Sequence, residues 1–494
     1  MLVIYRVCKW LNDRLQIAGP LKDTADHQVP RETASFFYVF GSAAAVVFAL
    51  QVVTGVLLAF LYIPSAGEAW NSLQALNHSV PFGWYIRALH GWGSLFMVSI
   101  VLVHMVQVFL FGAYKFPREL TWMVGVFLLL MTLAMAFSGQ VLRFDQDAFW
   151  GVAIGASIAS RIPVIGAWSV HMLLGGPIIA ASTLSRFFAL HVFIVPGLLA
   201  AFVGIHVWMV LKLGINDWPM PGRLVRKATY EKQYQELLRK DSIPFFPDAA
   251  WKDVFFSGCV LVAIGLVAAF FGPFGPSGVP DPTIIQTVPR PDFFFLWIFA
   301  LLALLPPSME ATVILLGPII VILGLLALPL VYGEGEKSWR RRPVAVLIVL
   351  FVAVVFGVLT QLGARSPWSP VMSAWSANAI PKELLQHRTA LERQGALVFQ
   401  YKQCRNCHAL GGVGGQRGPA LDDVALVQTE DQLIRQVLQG GGNMPAFGKS
   451  LSPAQTTALV AFLKTLHPPG ITPAQDASRG VTNTPKTVGH DRQY

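Results

Sequence analysis

Long apolar runs separated by short polar segments dominate the chain. Seven of them are long enough to cross a hydrocarbon layer about 30 Å thick, which takes roughly 20 helical residues. They lie at 36–63, 88–112, 120–142, 187–211, 254–272, 311–332 and 343–362. The pattern predicts an all-α, polytopic bundle of about seven transmembrane helices.

An eighth apolar run, Phe293–Leu305, is shorter than these. It has 13 residues before Pro306 and Pro307, and proline tends to end a helix. We therefore expect a re-entrant or interfacial segment here rather than a span.

The composition also excludes an ordinary soluble protein, since 54% of the 494 residues are hydrophobic and only 13% are charged. The formal net charge of +10 does not indicate nucleic-acid binding, because most Lys and Arg residues fall in short loops between the apolar runs. With a cytoplasmic N-terminus, the basic segments at 115–118, 212–252 and 340–342 all lie inside, as the positive-inside rule requires. Seven spans then place the C-terminus outside, on the periplasmic face of a bacterial inner membrane.

Changes in polarity divide the chain into parts. The first 35 residues have no apolar core, so we expect an amphipathic surface helix rather than a cleaved signal peptide. A long basic loop separates the first four spans from the last three, and a polar, proline-containing linker follows them. The predicted parts are a surface helix at 1–35, a four-helix core at 36–215, a three-helix region at 216–362, a linker at 363–381, a small soluble all-α domain at 382–470 and a disordered tail at 471–494.

Four histidines lie within two predicted spans, where an ionisable residue is costly and marks a candidate site. His90 and His104 are 14 residues apart, and His191 and His206 are 15 apart. Both spacings are close to four turns, so each pair lies near one helix face with roughly 21 Å between its members. Because both helices run inward, His90 faces His191 near the outer side. His104 likewise faces His206 near the inner side.

Two imidazoles on one iron suit a low-spin haem that transfers electrons. The four histidines therefore predict two b-type haems. The alternative is that they are ordinary buried histidines bonded to helix carbonyls.

Four glycines repeat this spacing on two other spans. Gly41 and Gly55 are 14 residues apart, as are Gly125 and Gly139. Missing side chains at two heights would give haem clearance near the backbone, although small residues also serve ordinary helix packing.

The predicted soluble domain contains a Cys-x-x-Cys-His sequence. Cys404 and Cys407 would bind a haem c covalently, and His408 would supply one axial ligand. A redox or zinc-binding cysteine pair is the alternative, but no further cysteine lies in this domain. The other two cysteines, Cys8 and Cys259, have no partner visible in the sequence.

Several segments resemble the cytochrome b family of quinol:cytochrome c oxidoreductases, and specifically its b6f-type branch. They are FGWYIRALHGW, YKFPRELTW, FSGQVLRFDQ, IPVIG at 162–166 and STLSRFFALHVFIVPGLLAAFVGIHVWMVLKLGI at 182–215. The 15-residue spacing of the second histidine pair is that of this branch. Residues 244–362 resemble the separate subunit IV of the same complexes.

The resemblance implies a proton-translocating quinol:cytochrome c oxidoreductase subunit. In that family, quinol is oxidised near the outer face. One electron passes to a Rieske iron–sulfur protein, and the other crosses the membrane through two b haems to a quinone, in a Q cycle. The implied partners are a Rieske subunit, a soluble or membrane c-type cytochrome acceptor, the quinone pool and a second copy in a homodimer.

The family's quinol-oxidising motif, Pro-Glu-Trp-Tyr, corresponds here to residues 291–294. Its first two positions are Pro291 and Asp292, and two phenylalanines follow. A carboxylate in an apolar pocket binds a proton more readily, so Asp292 is the candidate catalytic residue, together with Pro291 before it. It could instead only cap the helix that follows.

Arg87 and Arg186 match family arginines that pair with haem propionates, although interfacial arginines can also snorkel to headgroups. Val39 stands where the b6f branch has the cysteine for an additional covalently bound haem, so we expect none in the membrane part. Leu211 replaces a family arginine near the inner quinone site, while Lys212 is retained.

Near the C-terminus, residues 418–421 and 442–447 resemble class I cytochrome c. Its thioether ligand corresponds to Met444, and His387 and His467 are weaker substitutes. A methionine ligand raises the reduction potential, which suits a terminal acceptor.

Two other functions stay open on the sequence. One is a dihaem b membrane anchor of a quinone-linked dehydrogenase or reductase, which does not call for a segment like that at Asp292. The other is an electron relay without a working quinol site.

Overall fold

The structure of the chain is a computed structural model. It describes residues 2–475 except for 17, 161, 163, 177–178, 282–289, 366–378, 415–417, 441–443, 445 and 449. Most of the predicted linker, and the predicted disordered tail from residue 476, lie outside the described residues. So do residues 442, 443 and 445 of the second segment that resembles class I cytochrome c.

Helices make up nearly all of the regular structure in this part of the chain. They are α1 Leu2–Leu15, α2 Ala18–Ala25, α3 Phe40–Ala59, α4 Ala69–His78, α5 Gly83–Leu110, α6 Glu119–Leu142, α7 Gln146–Ser160, α8 Gly166–Leu174, α9 Ala181–Ala189, α10 Val195–Leu213, α11 Tyr230–Lys240, α12 Trp251–Phe271, α13 Phe293–Leu304, α14 Pro307–Val331, α15 Pro343–Ala364, α16 Ala390–Tyr401, α17 Val424–Val427, α18 Glu430–Gln439 and α19 Pro453–Leu463. The strands are β1 Gln28–Pro30, β2 Leu224–Val225, β3 Ser242–Pro244, β4 Gly335–Glu336, β5 Ala409–Leu410 and β6 Val413–Gly414.

Seven helical segments among the described residues are long and apolar enough to cross a membrane. They are Phe40–Ala59, Gly83–Leu110, Glu119–Leu142, Ala181–Leu213, Trp251–Phe271, Met309–Val331 and Pro343–Ala364. The predicted all-α bundle of seven spans is therefore confirmed. The eighth apolar run forms α13, whose 12 residues are too few to span a bilayer.

The fourth span differs from its prediction. It starts at Ala181 instead of residue 187, and it contains a π-helical turn, Leu190–Ile194, between α9 and α10. The amide of Val195 bonds to the carbonyl of Leu190, five residues back. Pro196 has no N–H to donate, so the α-helical ladder is already interrupted here and a wider turn can form. A wider turn holds one extra residue, which accounts for a histidine spacing of 15 on this span against 14 on α5.

The N-terminal segment also differs from its prediction of one surface helix. Its described residues form two helices, α1 and α2, followed by β1. Strand β1 pairs antiparallel with β3, with Val29 opposite Ile243. Both side chains are buried in a small apolar cluster with Ala249, so the pairing attaches the segment before the first span to the loop before the fifth.

The chain forms two compact units. The first comprises residues 1–143, 187–276 and 318–355, and the second comprises 144–186, 277–317 and 356–494. In the first unit α3 packs on α5, α12 packs on both, and α6 packs on α10. One apolar cluster of this unit is formed by Ala43, Val47, Met97, Ile100 and Ile264.

A buried ion pair joins two loops of the first unit. Nζ of Lys337 lies 2.5 Å from Oδ1 of Asp217, and each side chain is at most 3% exposed. Arg223 lies 3.1 Å from the other carboxylate oxygen, and β2 pairs with β4 beside it. Burial opposes ionisation of Asp217, but Lys337, Arg223 and Arg118 outweigh it and lower the pKa of the carboxyl below its usual 3.8. The loop after the fourth span is thereby fixed to the loop after the sixth.

The C-terminal domain lies in the second unit and has its own core. Helices α16, α18 and α19 each begin with a capping box, at Thr389, Thr429 and Ser452. α16 crosses α19 closely at Gly395, where glycine is required because a Cβ would collide with the backbone of Ala458. The residues around this crossing form one apolar cluster, as expected for the small all-α domain predicted here.

Candidate haem centres

The outer histidine pair lies between two spans of the first unit. The rings of His90 and His191 have centroids 6.2 Å apart and planes inclined at 79°. A metal–imidazole bond is about 2 Å long, so one iron between two rings needs ligand nitrogens roughly 4 Å apart. Rings with these centroids meet that requirement when their nitrogens face one another.

Two hydroxyl groups fix the tautomer of this pair. Nδ1 of His90 lies 2.9 Å from Oγ1 of Thr54, and that hydroxyl donates to the carbonyl of Leu50, 2.7 Å away. A hydroxyl has one hydrogen, so Thr54 accepts from Nδ1–H and leaves Nε2 of His90 as the free ligand atom. Ser138 does the same for His191, with Nδ1 at 2.9 Å and its own hydrogen directed to backbone carbonyls one turn back.

The inner pair occupies the other level of the same helices. His104, on α5, and His206, on α10, lie close enough for their charges to interact. Their Nδ1 atoms are buried and make no hydrogen bond to any described residue.

Each of the four predicted glycines lies against one of these rings. A Cβ added at Gly139 would lie 2.8 Å from Cε1 of His191, and one at Gly55 would lie 3.1 Å from Cε1 of His90. At the inner level the corresponding distances are 3.2 Å for Gly41 and His104, and 3.6 Å for Gly125 and His206. At three of the four positions, any residue larger than glycine would crowd the histidine ring. Two facing histidine pairs with glycines against their rings fit two bis-histidine haems in the first unit.

The two predicted propionate arginines bond mainly to backbone carbonyls. Arg87 is buried and donates to the side-chain oxygen of Asn77 and the carbonyl of Gly275, each at 2.7 Å, and to the carbonyl of Phe274. Arg186 donates to the carbonyl of Met172 at 2.9 Å in the second unit. These bonds give both residues a structural role, and their pairing with propionates stays a prediction.

Pro291 and Asp292 directly precede α13 in the second unit. Asp292 occupies the N-cap position, but its side chain makes no capping hydrogen bond. Both residues are half-buried, and the aromatic rings of the next two residues pack against each other, 5.3 Å apart. The structure therefore gives no support to capping as the role of Asp292.

The Cys-x-x-Cys-His segment has the features of a haem attachment site. Burial, followed by the nearby Cys407, raises the pKa of the Cys404 thiol to about 12, whereas redox-active pairs have a lowered thiol pKa. Nδ1 of His408 donates to the carbonyl of Pro419 at 2.7 Å, which leaves Nε2 as the ligand atom. A Cβ at Gly418 would collide with this imidazole.

Met444 packs against the core of the same domain, as does Cys404. Its Sδ accepts a hydrogen bond from Nε2 of Gln436, 3.5 Å away. A half-buried thioether held in this way fits the second axial ligand of a c-type haem.

Sequence reasoning missed Thr54, Ser138 and Gln436. For the two hydroxyl residues a signal was present, because each directly precedes one of the outer glycines. No comparable signal marks Gln436, which is brought to Met444 by the fold of the domain.

Comparison with known proteins agrees with this geometry. Cytochrome b6 of Heliomicrobium gestii is 40% identical over 210 residues, which are 42% of this chain and 99% of that protein. The chain belongs to the cytochrome b family. Cytochrome b6 of Heliobacterium modesticaldum is 41% identical over 209 residues, 42% of the chain and 98% of that protein. The family model described as cytochrome b/b6/petB matches residues 25–214.

The likeness extends beyond the first four spans of this cytochrome b. Cytochrome b/c1 of Bradyrhizobium diazoefficiens is 32% identical over 371 residues, which cover 73% of the chain and 50% of that protein. A solved structure described as a hyperthermophilic respiratory Complex III is 26% identical, with a TM-score of 0.61, and the match covers 73% of this chain and 92% of that one. The family model described as cytochrome c oxidase, cbb3-type, subunit III matches residues 390–463. The protein is therefore a cytochrome b fused to a c-type cytochrome domain, related to the cytochrome b of complex III and suited to bc-type electron transfer.

Proposed function

We propose that this cytochrome b/c fusion is a subunit of a proton-translocating quinol:cytochrome c oxidoreductase that works by a Q cycle. One observation carries the proposal: two histidine pairs, each ring lying against a glycine, share a chain with a Cys-x-x-Cys-His domain. The positions of the basic loops support a bacterial inner membrane location, with the N-terminus in the cytoplasm and the c-type domain in the periplasm.

The proposed cofactors are two haem b groups and one haem c. His90 and His191 would hold the outer haem b, and His104 and His206 the inner one. Cys404, Cys407, His408 and Met444 would hold the haem c. Bound at these sites, the haems would supply one-electron redox centres at two depths of the membrane and one outside it.

Asp292 is the proposed proton acceptor for quinol. Asp292 directly precedes three phenylalanines at the start of α13, whose rings pack in sequence against one another. A carboxylate there can accept the proton of a quinol hydroxyl and release it to water. Pro291 would hold the backbone before it in an extended form, because proline restricts its own φ and the residue that precedes it.

The names of two relatives and the lack of an iron–sulfur cluster motif in this sequence support the proposed partners. Complex III and cytochrome b/c1 are the names of two matched proteins. No Rieske cluster motif occurs in the sequence, so a separate Rieske iron–sulfur subunit would complete the complex. A homodimer, the quinone pool and a soluble or membrane c-type cytochrome acceptor are proposed with it.

The Asp292→Asn variant tests the proposal in the purified complex. Asparagine has the same shape but cannot accept the proton, so quinol-dependent reduction of cytochrome c should fall by about 100-fold or more. Haem spectra should not change. Asp248→Asn, at an exposed position in the π-helical segment Phe245–Ala249 of the first unit, is the matched control and should keep wild-type turnover. Unchanged turnover in Asp292→Asn would favour a simple electron relay.

A further inference from the structure

The two histidine pairs differ in the partners of their Nδ1 atoms. At the outer level, both Nδ1 atoms bond to hydroxyls at 2.9 Å, His90 to Thr54 and His191 to Ser138. At the inner level, neither Nδ1 atom makes a hydrogen bond within the described part of the chain. The Gln107 side chain and the Thr121 backbone are close to the inner rings but do not meet hydrogen-bond geometry.

The outer bonds are fixed in direction and shielded from water. Thr54 is 3% exposed and Ser138 is 4% exposed, so no solvent competes for either hydroxyl. Each hydroxyl hydrogen is directed to the carbonyl four residues earlier in its helix, at 2.7 Å. Each oxygen can therefore only accept from the imidazole.

This difference arises from the residue that precedes each glycine. Thr54 precedes Gly55 and Ser138 precedes Gly139, whereas at the inner level Gly41 follows a phenylalanine and Gly125 follows a valine. All four glycines face a histidine ring. The residue before each glycine therefore carries a hydroxyl at the outer level and only a hydrocarbon side chain at the inner level.

We propose that Thr54 and Ser138 are positioning residues that lower the reduction potential of the outer haem b site relative to the inner one. The inference rests on the proposed function, because it requires a haem at each level. An imidazole whose Nδ1–H donates to an acceptor is a stronger electron donor to its metal. A stronger donor favours the oxidised metal, so the outer site holds an electron less tightly. Electrons delivered near the outer face would then move inward spontaneously.

The test is a redox titration of the purified holoprotein that resolves the two b haems by their absorption bands. His191→Leu removes one ligand of the outer pair and His206→Leu one ligand of the inner pair, so these two variants assign the outer and inner signals. Thr54→Val and Ser138→Ala should each raise the reduction potential of the outer haem b. The double variant should change the equilibrium constant for reducing this haem roughly tenfold, which is a shift of about 59 mV for a one-electron couple. The inner potential should stay at its wild-type value.

Two further variants separate the hydroxyl from changes in packing. Thr54→Ser keeps the hydroxyl and should keep the outer potential. Val124→Thr places a hydroxyl before Gly125 with little change in volume, and it should lower the inner potential alone. Val124 is buried, at 7% exposed, so this new hydroxyl would also be shielded from water.

The possible outcomes distinguish this inference from the proposed function. Two intact b haems whose potentials are unchanged by Thr54→Val, Ser138→Ala and Val124→Thr would overturn the inference and leave the proposed function standing. Equal shifts of both haems in each variant would overturn it as well. Absence of a bis-histidine haem from the wild-type protein would instead refute the proposed function. Should Thr54→Val lose haem, Ser138→Ala and Val124→Thr decide the question.

Discussion

Replacing Gly139 with alanine should weaken binding of the outer haem b. The added Cβ would lie 2.8 Å from Cε1 and 3.3 Å from Nε2 of His191. Carbon atoms in contact normally stand about 3.5–4.0 Å apart, so the ring must retreat by roughly 0.7 Å. It cannot do so freely, because its Nδ1 is bonded to Ser138, the residue next to Gly139.

The cost follows from this overlap. Overpacking of a buried site typically costs about 1–3 kcal/mol, and about 1.4 kcal/mol is a tenfold loss of affinity. Gly139→Ala should therefore lower the affinity of the outer site for haem by roughly tenfold to a hundredfold.

Gly125→Ala is the matched control on the same helix. Its Cβ would lie 3.6 Å from Cε1 of His206, which is ordinary van der Waals contact, and alanine favours a helix over glycine by about 0.5–1 kcal/mol. Because the ring of His206 is not crowded, this variant should lose much less haem than Gly139→Ala. The measurement is haem b per polypeptide by pyridine haemochrome, with reduced-minus-oxidised spectra of both variants. Wild-type haem content in Gly139→Ala, or an equal loss in both variants, would refute the reasoning.

Two further predictions concern the ion pair between Asp217 and Lys337. Removing one partner of a buried ion pair costs about 3–5 kcal/mol when the other charge is left alone. In Lys337→Met the carboxylate of Asp217 keeps Arg223, 3.1 Å away, so the loss should be smaller than that, but the apparent Tm in detergent should still fall. Lys337→Met combined with Asp217→Leu should lower the Tm by less than the sum of the two single variants. Because the pKa of Asp217 in the folded protein is below its usual 3.8, the stability it contributes is present above that value and lost as the pH falls through the folded pKa. Thermal melts from pH 6 to pH 3 should show a steeper loss of Tm below about pH 4 in the wild type than in the double variant, and parallel curves would contradict this.

Features that repeat along one helix could be predicted from the sequence. The seven spans follow from run length alone, because the bilayer sets the number of apolar residues required. The facing of His90 and His191 and the position of the four glycines against the rings follow from the 3.6-residue period of the helix. The domain with the Cys-x-x-Cys-His segment was marked by a local motif.

Features that depend on contacts between distant segments could not be predicted. The ion pair of Asp217 and Lys337 joins residues 120 positions apart, and nothing in either local sequence identifies the partner. Two of the three acceptors of Arg87, the carbonyls of Phe274 and Gly275, are in a loop almost 190 residues away, and the local sequence gives no sign of them. The π-helical turn required knowing how a proline is accommodated within the span.

The most direct test of the account is the haem content of the purified chain, measured by pyridine haemochrome and followed by a redox titration. Two histidine pairs and one Cys-x-x-Cys-His segment predict two haem b groups for each haem c, with the haem c at the highest potential because a methionine ligand raises it. One haem b per haem c would contradict the central claim that both levels of the bundle bind haem.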